Sequence, residues 1–123
     1  MELRAELEKI LKEMKKIEGV RGSLIANREG LLVVSYLPAE LDARLLAALA
    51  ATLVKVSSMT AERLGMGTFT HTVVKASQGY YVCFPIDTEM ILACLLEKDV
   101  NLGLVLVRME ESIKEIVKVL RSV

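Results

Sequence analysis

Residues 41–64 constrain this chain more than any other stretch. At about 100° per residue, Leu46, Leu49, Leu53, Val56, Thr60 and Leu64 share one stripe, the ordinary core-facing surface of an amphipathic helix. A second stripe of smaller residues runs beside it: Ala43, Ala47, Ala50, Val54, Ser57 and Ala61. One apolar face is enough to cover a core. A second face of short side chains predicts the close approach of another helix, because small residues permit short interaxial distances. We therefore read the leucine stripe as facing the chain's own core and the small stripe as a seam toward a second subunit. Arg44, Lys55, Ser58 and Glu62, with Met59 and Arg63 beside them, are left as the outward surface and the candidate contact for a partner.

Composition narrows the rest. A chain of 123 residues is expected to form one domain over 1–123, with a single continuous core. At 53% hydrophobic residues disorder is excluded as a class, and 4% aromatics make the core aliphatic. Lys plus Arg and Asp plus Glu balance at 16 each, so no basic excess points to nucleic acid or an anionic membrane. A chain this apolar with no net charge has little electrostatic protection against association, which favours self-assembly. Cys83 and Cys94 sit in apolar strand-like runs without a CxxC or Cys/His spacing and read as buried reduced thiols. Residues 1–16 are charged and amphipathic, unlike a secretory signal. No apolar run is expected to reach the roughly 18 residues of a membrane span, because Lys55 and Ser57–Ser58 interrupt the best one. A soluble, reducing, cytoplasmic setting is expected.

Along the chain, Leu3, Leu7, Ile10, Leu11, Met14 and Ile17 mark an amphipathic helix that Gly19 ends. Residues 20–26 read as a strand, Asn27–Gly30 as a type I turn, and 31–36 as the return strand. After the two-faced helix, Gly65 and Gly67 stop the periodicity, and 68–76, 80–86 and 89–96 read as three more strands. A last helix begins near Asn101, with Asp99 as candidate N-cap. The order α-β-β-α-β-β-β-α predicts an α/β (α+β) fold: a five-stranded, mostly antiparallel sheet with helices on both faces.

No catalytic constellation emerges. The one histidine, His71, lies in a strand without a Ser, Cys or Asp partner at a recognisable spacing, and reads as a packed or interface residue. No Cys/His/carboxylate spacing suits a metal. Gly65-Met66-Gly67 is a helix stop, and neither a P-loop nor a dinucleotide fingerprint is present. An enzyme is not expected, and no cofactor is implied.

Several motifs, taken in order, resemble the roadblock/dynein light chain family. They are Glu18-Gly19-Val20-Arg21-Gly22-Ser23-Leu24, then Asn27-Arg28-Glu29-Gly30-Leu31, the Ala/Leu-rich central helix, and Asp99-Val100-Asn101-Leu102-Gly103-Leu104 at the entry to the last helix. The resemblance implies a homodimer in which the central helices pack together and the strand after them pairs with its symmetry mate, forming one sheet of ten. The residues agree: 68–76 is long, Thr-rich and carries one charge, Lys75, so an exposed edge there needs covering. Thr68, Thr70, His71 and Thr72 therefore join the small stripe as the expected dimer interface. The resemblance also implies a non-catalytic regulator or scaffold of a small Ras-like GTPase. Two alternatives stand beside it: a structural adaptor without effect on nucleotide turnover, and a small-molecule sensor, for which the aliphatic strands offer few polar groups.

Overall fold

Helical spacing buries Leu7, Leu11 and Met14 along one side of the first helix, α1 (Glu2–Lys15). The computed structural model describes residues 2–122. Gly19 then turns the chain at φ +92°, a conformation that favours glycine, while Val100 fills the space where a side chain would stand. Strands β1 (Val20–Asn27) and β2 (Leu32–Tyr36) form the first hairpin. Its turn is fastened by the Asn27 side chain, whose Oδ1 accepts from Glu29 N at 2.9 Å and Leu31 N at 3.0 Å.

The central helix, α2 (Ala43–Arg63), starts at Asp42, whose carboxylate accepts from Arg44 N and Leu45 N at 3.1 Å each. It ends at a left-handed Gly65, with Met66 N reaching back to Ala61 O at 2.9 Å. Strands β3 (Thr72–Ala76), β4 (Gly79–Pro85) and β5 (Met90–Glu97) follow, then α3 (Leu102–Arg121). The sheet order is β2-β1-β5-β4-β3, and every neighbouring pair is antiparallel. The expected order and sheet are the ones observed.

Most boundaries fall within one or two residues of expectation, and two differences have a clear physical cause. β3 begins at Thr72 rather than Thr68, because its ladder opens at the Thr72–Cys83 pair and two residues further Thr70 would meet Pro85, which has no N–H to give. The N-cap of α3 is Asn101, whose Oδ1 accepts from Leu104 N at 3.1 Å, not Asp99. Residues 97–100 are already committed to a turn, tied by Glu97 N to Gly19 O and Val100 N to Glu97 O.

Strand alternation divides the interior into two layers. Toward α1 and α3 point Ile25, Val82, Phe84, Leu92, Cys94 and Leu96, packed with Leu7, Leu11, Met14, Val105, Met109 and Ile116. Toward α2 point Leu24, Ala26, Cys83, Ile91 and Ala93, packed with Ala47, Ala50, Ala51 and Val54. The two thiols thus lie on opposite faces of the sheet. Burial pushes Cys83 up to about 12 and raises Cys94 as well.

Candidate interaction surface

The stripes of α2 exchange the roles expected of them. Ala47, Ala50 and Val54 are 0% exposed, seated on the chain's own sheet, so they do not form a seam toward a second subunit. Ala43, Ser57 and Ala61 continue that stripe at half burial. Of the leucine stripe, Leu46 and Leu53 pack at the margin of the α2 layer, whereas Leu49, Val56, Thr60 and Leu64 are exposed. The physical reason lies in the sheet. Its α2-facing side already supplies large groups in Leu24 and Ile91, with Tyr81 at the margin and Phe69 of the α2–β3 connector beside it, so a helix of short side chains can sit low among them.

The consequence is a helix with large apolar residues pointing away from its own core: Leu45 is 54% exposed, Leu49 45%, Val56 57% and Met59 45%. Isolated exposed apolar residues are ordinary, but a continuous run on one helix marks a contact surface. Full burial of such a side chain contributes about 1.5–3 kcal/mol, which this surface leaves unrealised. Val56, Met59, Thr60, Arg63 and Leu64 also outline a shallow, largely apolar depression of about 350 Å³.

The two flanks of α2 are unlike each other. One faces the β1–β2 turn, where Gly30 lies against Ala48 and Ala51, and carries Arg44, Lys55 and Glu62. The other faces the β3–β4 side, where the Tyr81 hydroxyl donates to Leu46 O at 2.7 Å, and carries Leu46, Leu49, Leu53 and Leu64. Burial raises the Tyr81 phenol well above its ordinary range, so it stays a donor throughout the physiological range. Beyond this flank lies β3, hydrogen-bonded to β4 on one side and ending the sheet on the other. Alternation places Val74, opposite Tyr81, on the α2 side of this edge, where it is exposed. An apolar helix flank and an open strand edge therefore stand side by side.

The remaining sequence-predicted residues fall around this surface. Thr68 and Thr70 are exposed in the connector before β3; Thr72 opens the strand at half burial. His71 stacks on Phe84 with ring centroids 4.7 Å apart, and its Nδ1 lies 3.1 Å from Thr70 Oγ1. Arg44, Lys55, Met59, Glu62 and Arg63 are exposed as expected, while Ser58 is half-buried. Leu45, Leu49 and Val56 were not among the expected contact residues. No signal within α2 itself finds them, because the stripe that seats on the sheet is decided by Leu24, Ile91 and Tyr81 on other strands. α2 also departs from the expectation about membrane length: at 21 residues and a mean hydropathy of 1.3 it is long and apolar enough to cross a bilayer by composition alone. Its small stripe is instead committed to the sheet. Among the described residues, no three His, Cys, Asp or Glu gather in a way that could hold a metal ion.

The profile of the Roadblock/LC7 domain family matches residues 6–96. The uncharacterized proteins MJ1340 and MJ0310 of Methanocaldococcus jannaschii are each 33% identical over 110 residues, covering 89% of this chain and 96% of theirs. Among solved structures, MglB of Myxococcus xanthus superposes with a TM-score of 0.89 at 19% identity, covering 99% of this chain and 92% of that one. A Roadblock/LC7 domain from Streptomyces avermitilis gives 0.87 at 17% identity, covering 94% and 98%. An MglB with a tetrameric arrangement gives 0.86 at 17% identity, covering 95% and 89%. With the family profile spanning both hairpins and α2, and the same architecture recurring in these structures, the chain belongs to the Roadblock/LC7 domain family.

Proposed function

We propose that this protein is a non-catalytic, cytoplasmic homodimer that regulates or scaffolds a small Ras-like GTPase. The observation that carries the dimer is the apolar β3-side flank of α2 lying beside the open edge of β3. A two-fold axis next to that edge would pair β3 with its mate and lay the two α2 flanks together, covering both surfaces at once. The seam proposed here is Leu46, Leu49, Leu53 and Leu64 with residues 72–76. It replaces the small-residue seam expected from the sequence and keeps the strand. The tetrameric arrangement of an MglB supports association as a habit of this fold. The GTPase is drawn from family resemblance, and two free buried thiols suit a reducing compartment.

The test is sedimentation of the purified protein, followed by capture of GTPases from the source proteome on the immobilised dimer, with GDP or a GTP analogue present. A dimer that retains a GTPase and discriminates between nucleotides supports the reading. A monomer at tens of micromolar, or a dimer that retains no GTPase in either state, rejects it. A bound GTPase whose hydrolysis rate is unchanged would assign scaffolding over activation.

A further inference from the structure

We infer that this sheet takes a further strand at β3 alone, and that a bulge in β2 closes the opposite edge, so that assembly through the sheet stops at two chains. The inference rests on the dimer proposed above and specifies what limits its size. A five-stranded sheet has two edges, and each turns one side of its backbone away from its neighbours. β2 and β3 are both five residues long, so length does not distinguish them. A two-fold dimer that pairs β3 with its mate leaves a β2 edge at either end of the joint sheet. If β2 accepted strands as β3 does, dimers would join end to end without limit.

The two edges differ in regularity. β3 keeps an unbroken register with β4, from Thr72–Cys83 to Ala76–Gly79. β2 does not: Ile25 faces Val34 while Ala26 faces Leu32, so Val33 is an extra residue. Side-chain direction records the same break independently. Leu32 packs in the α2 layer, whereas Val33 and Val34, though consecutive, both pack in the α1/α3 layer. Such a bulge bends its strand and raises the local twist, so an incoming strand can follow only one side of it. The regular side is Val34, Ser35 and Tyr36, and it is blocked at its far end. There the chain passes over Gly22, where a Cβ would meet Tyr36 O at 2.7 Å and Leu37 Cα at 3.1 Å. Pro38, with no N–H to give, comes next. The Lys12 ammonium, 5.8 Å from the centroid of the Tyr36 ring, adds a cation at the same margin. β3 has no such obstacle along Thr72, Val73 and Val74, and its one charge, Lys75, stands next to its last residue.

The experiment offers both edges the same strand. A synthetic peptide copying residues 68–76 is added in excess to the chain made monomeric by Leu49→Glu, and amide hydrogen exchange is followed on β2 and β3. The outward amides of β3 are expected to slow about tenfold or more, and those of β2 to exchange as they do without peptide. A second arm deletes Val33, which restores an unbroken register between β1 and β2. In the otherwise wild-type chain the deletion should convert dimers into longer assemblies on sedimentation, with circular dichroism confirming that the chain is folded. Protection of β2 by the peptide overturns the inference and leaves the dimer reading intact, as does a folded deletion variant that stays dimeric. Where the deletion prevents folding, the peptide experiment decides alone. A wild type that sediments as a monomer, with neither edge protected by the peptide, overturns both.

Discussion

The two faces of the sheet solve the same problem in opposite ways. Toward α1 and α3, bulk points inward: Leu7, Leu11, Met14, Met109 and Ile116 fill the space between two helices and the strands. Toward α2, bulk points outward: alanines touch the sheet, and Leu45, Leu49, Val56 and Met59 face away. Two helices can roof five strands, whereas one cannot. The single helix lies close to the sheet and leaves the β3 margin uncovered, so the α1/α3 face reads as finished and the α2 face as half of something larger.

Substitutions can break this contrast directly. The largest effect is expected for Ala50→Glu, which places an unpaired carboxylate between α2 and the sheet and should cost about 3 kcal/mol or more. Thermal unfolding would show a destabilised or unfolded protein; a folded protein of unchanged melting temperature that is merely monomeric would return the small stripe to the subunit seam. On the opposite face, Leu11→Ala should cost about 2–5 kcal/mol by opening a cavity, read from denaturant midpoints. Leu49→Glu should leave circular dichroism intact and abolish the dimer on sizing with light scattering, since the residue is 45% exposed in the monomer. A surviving dimer would move the interface off this flank. Tyr81→Phe removes the 2.7 Å bond to Leu46 O and should cost about 1 kcal/mol, measured by urea denaturation. The smallest contrast sits at the start of α3: Asn101→Ala should cost about 1 kcal/mol, and Asp99→Ala should stay within about 0.5 kcal/mol.

The same contrast explains what could be read in the chain beforehand. Strand alternation, turn chemistry at Asn27–Gly30 and helix stops at Gly19 and Gly65 are local signals, and they give the element order and the layering. Which stripe of α2 faces the sheet is not local. It depends on the side chains that β1, β4 and β5 bring up to meet it, and those strands come from distant parts of the chain. Two apolar stripes, one small and one large, fit a core equally well until Leu24, Ile91 and Tyr81 are seen to occupy the volume already. Likewise, the shortened β3 follows from Pro85 on its neighbour, a constraint visible only once the register is known. The site was legible as a helix and an edge strand; its orientation was not.

The placement of Cys83 and Cys94 on opposite faces of the sheet gives the molecule two built-in reporters. Both thiols are held protonated by burial, so neither reacts with a maleimide until the layer above it lifts. Cys83 lies beneath α2 and Cys94 beneath the α1/α3 layer, so two labelling rates, resolved by mass spectrometry of the separate peptides, time the opening of each layer independently. If a partner docks on α2, only one of the two clocks should slow.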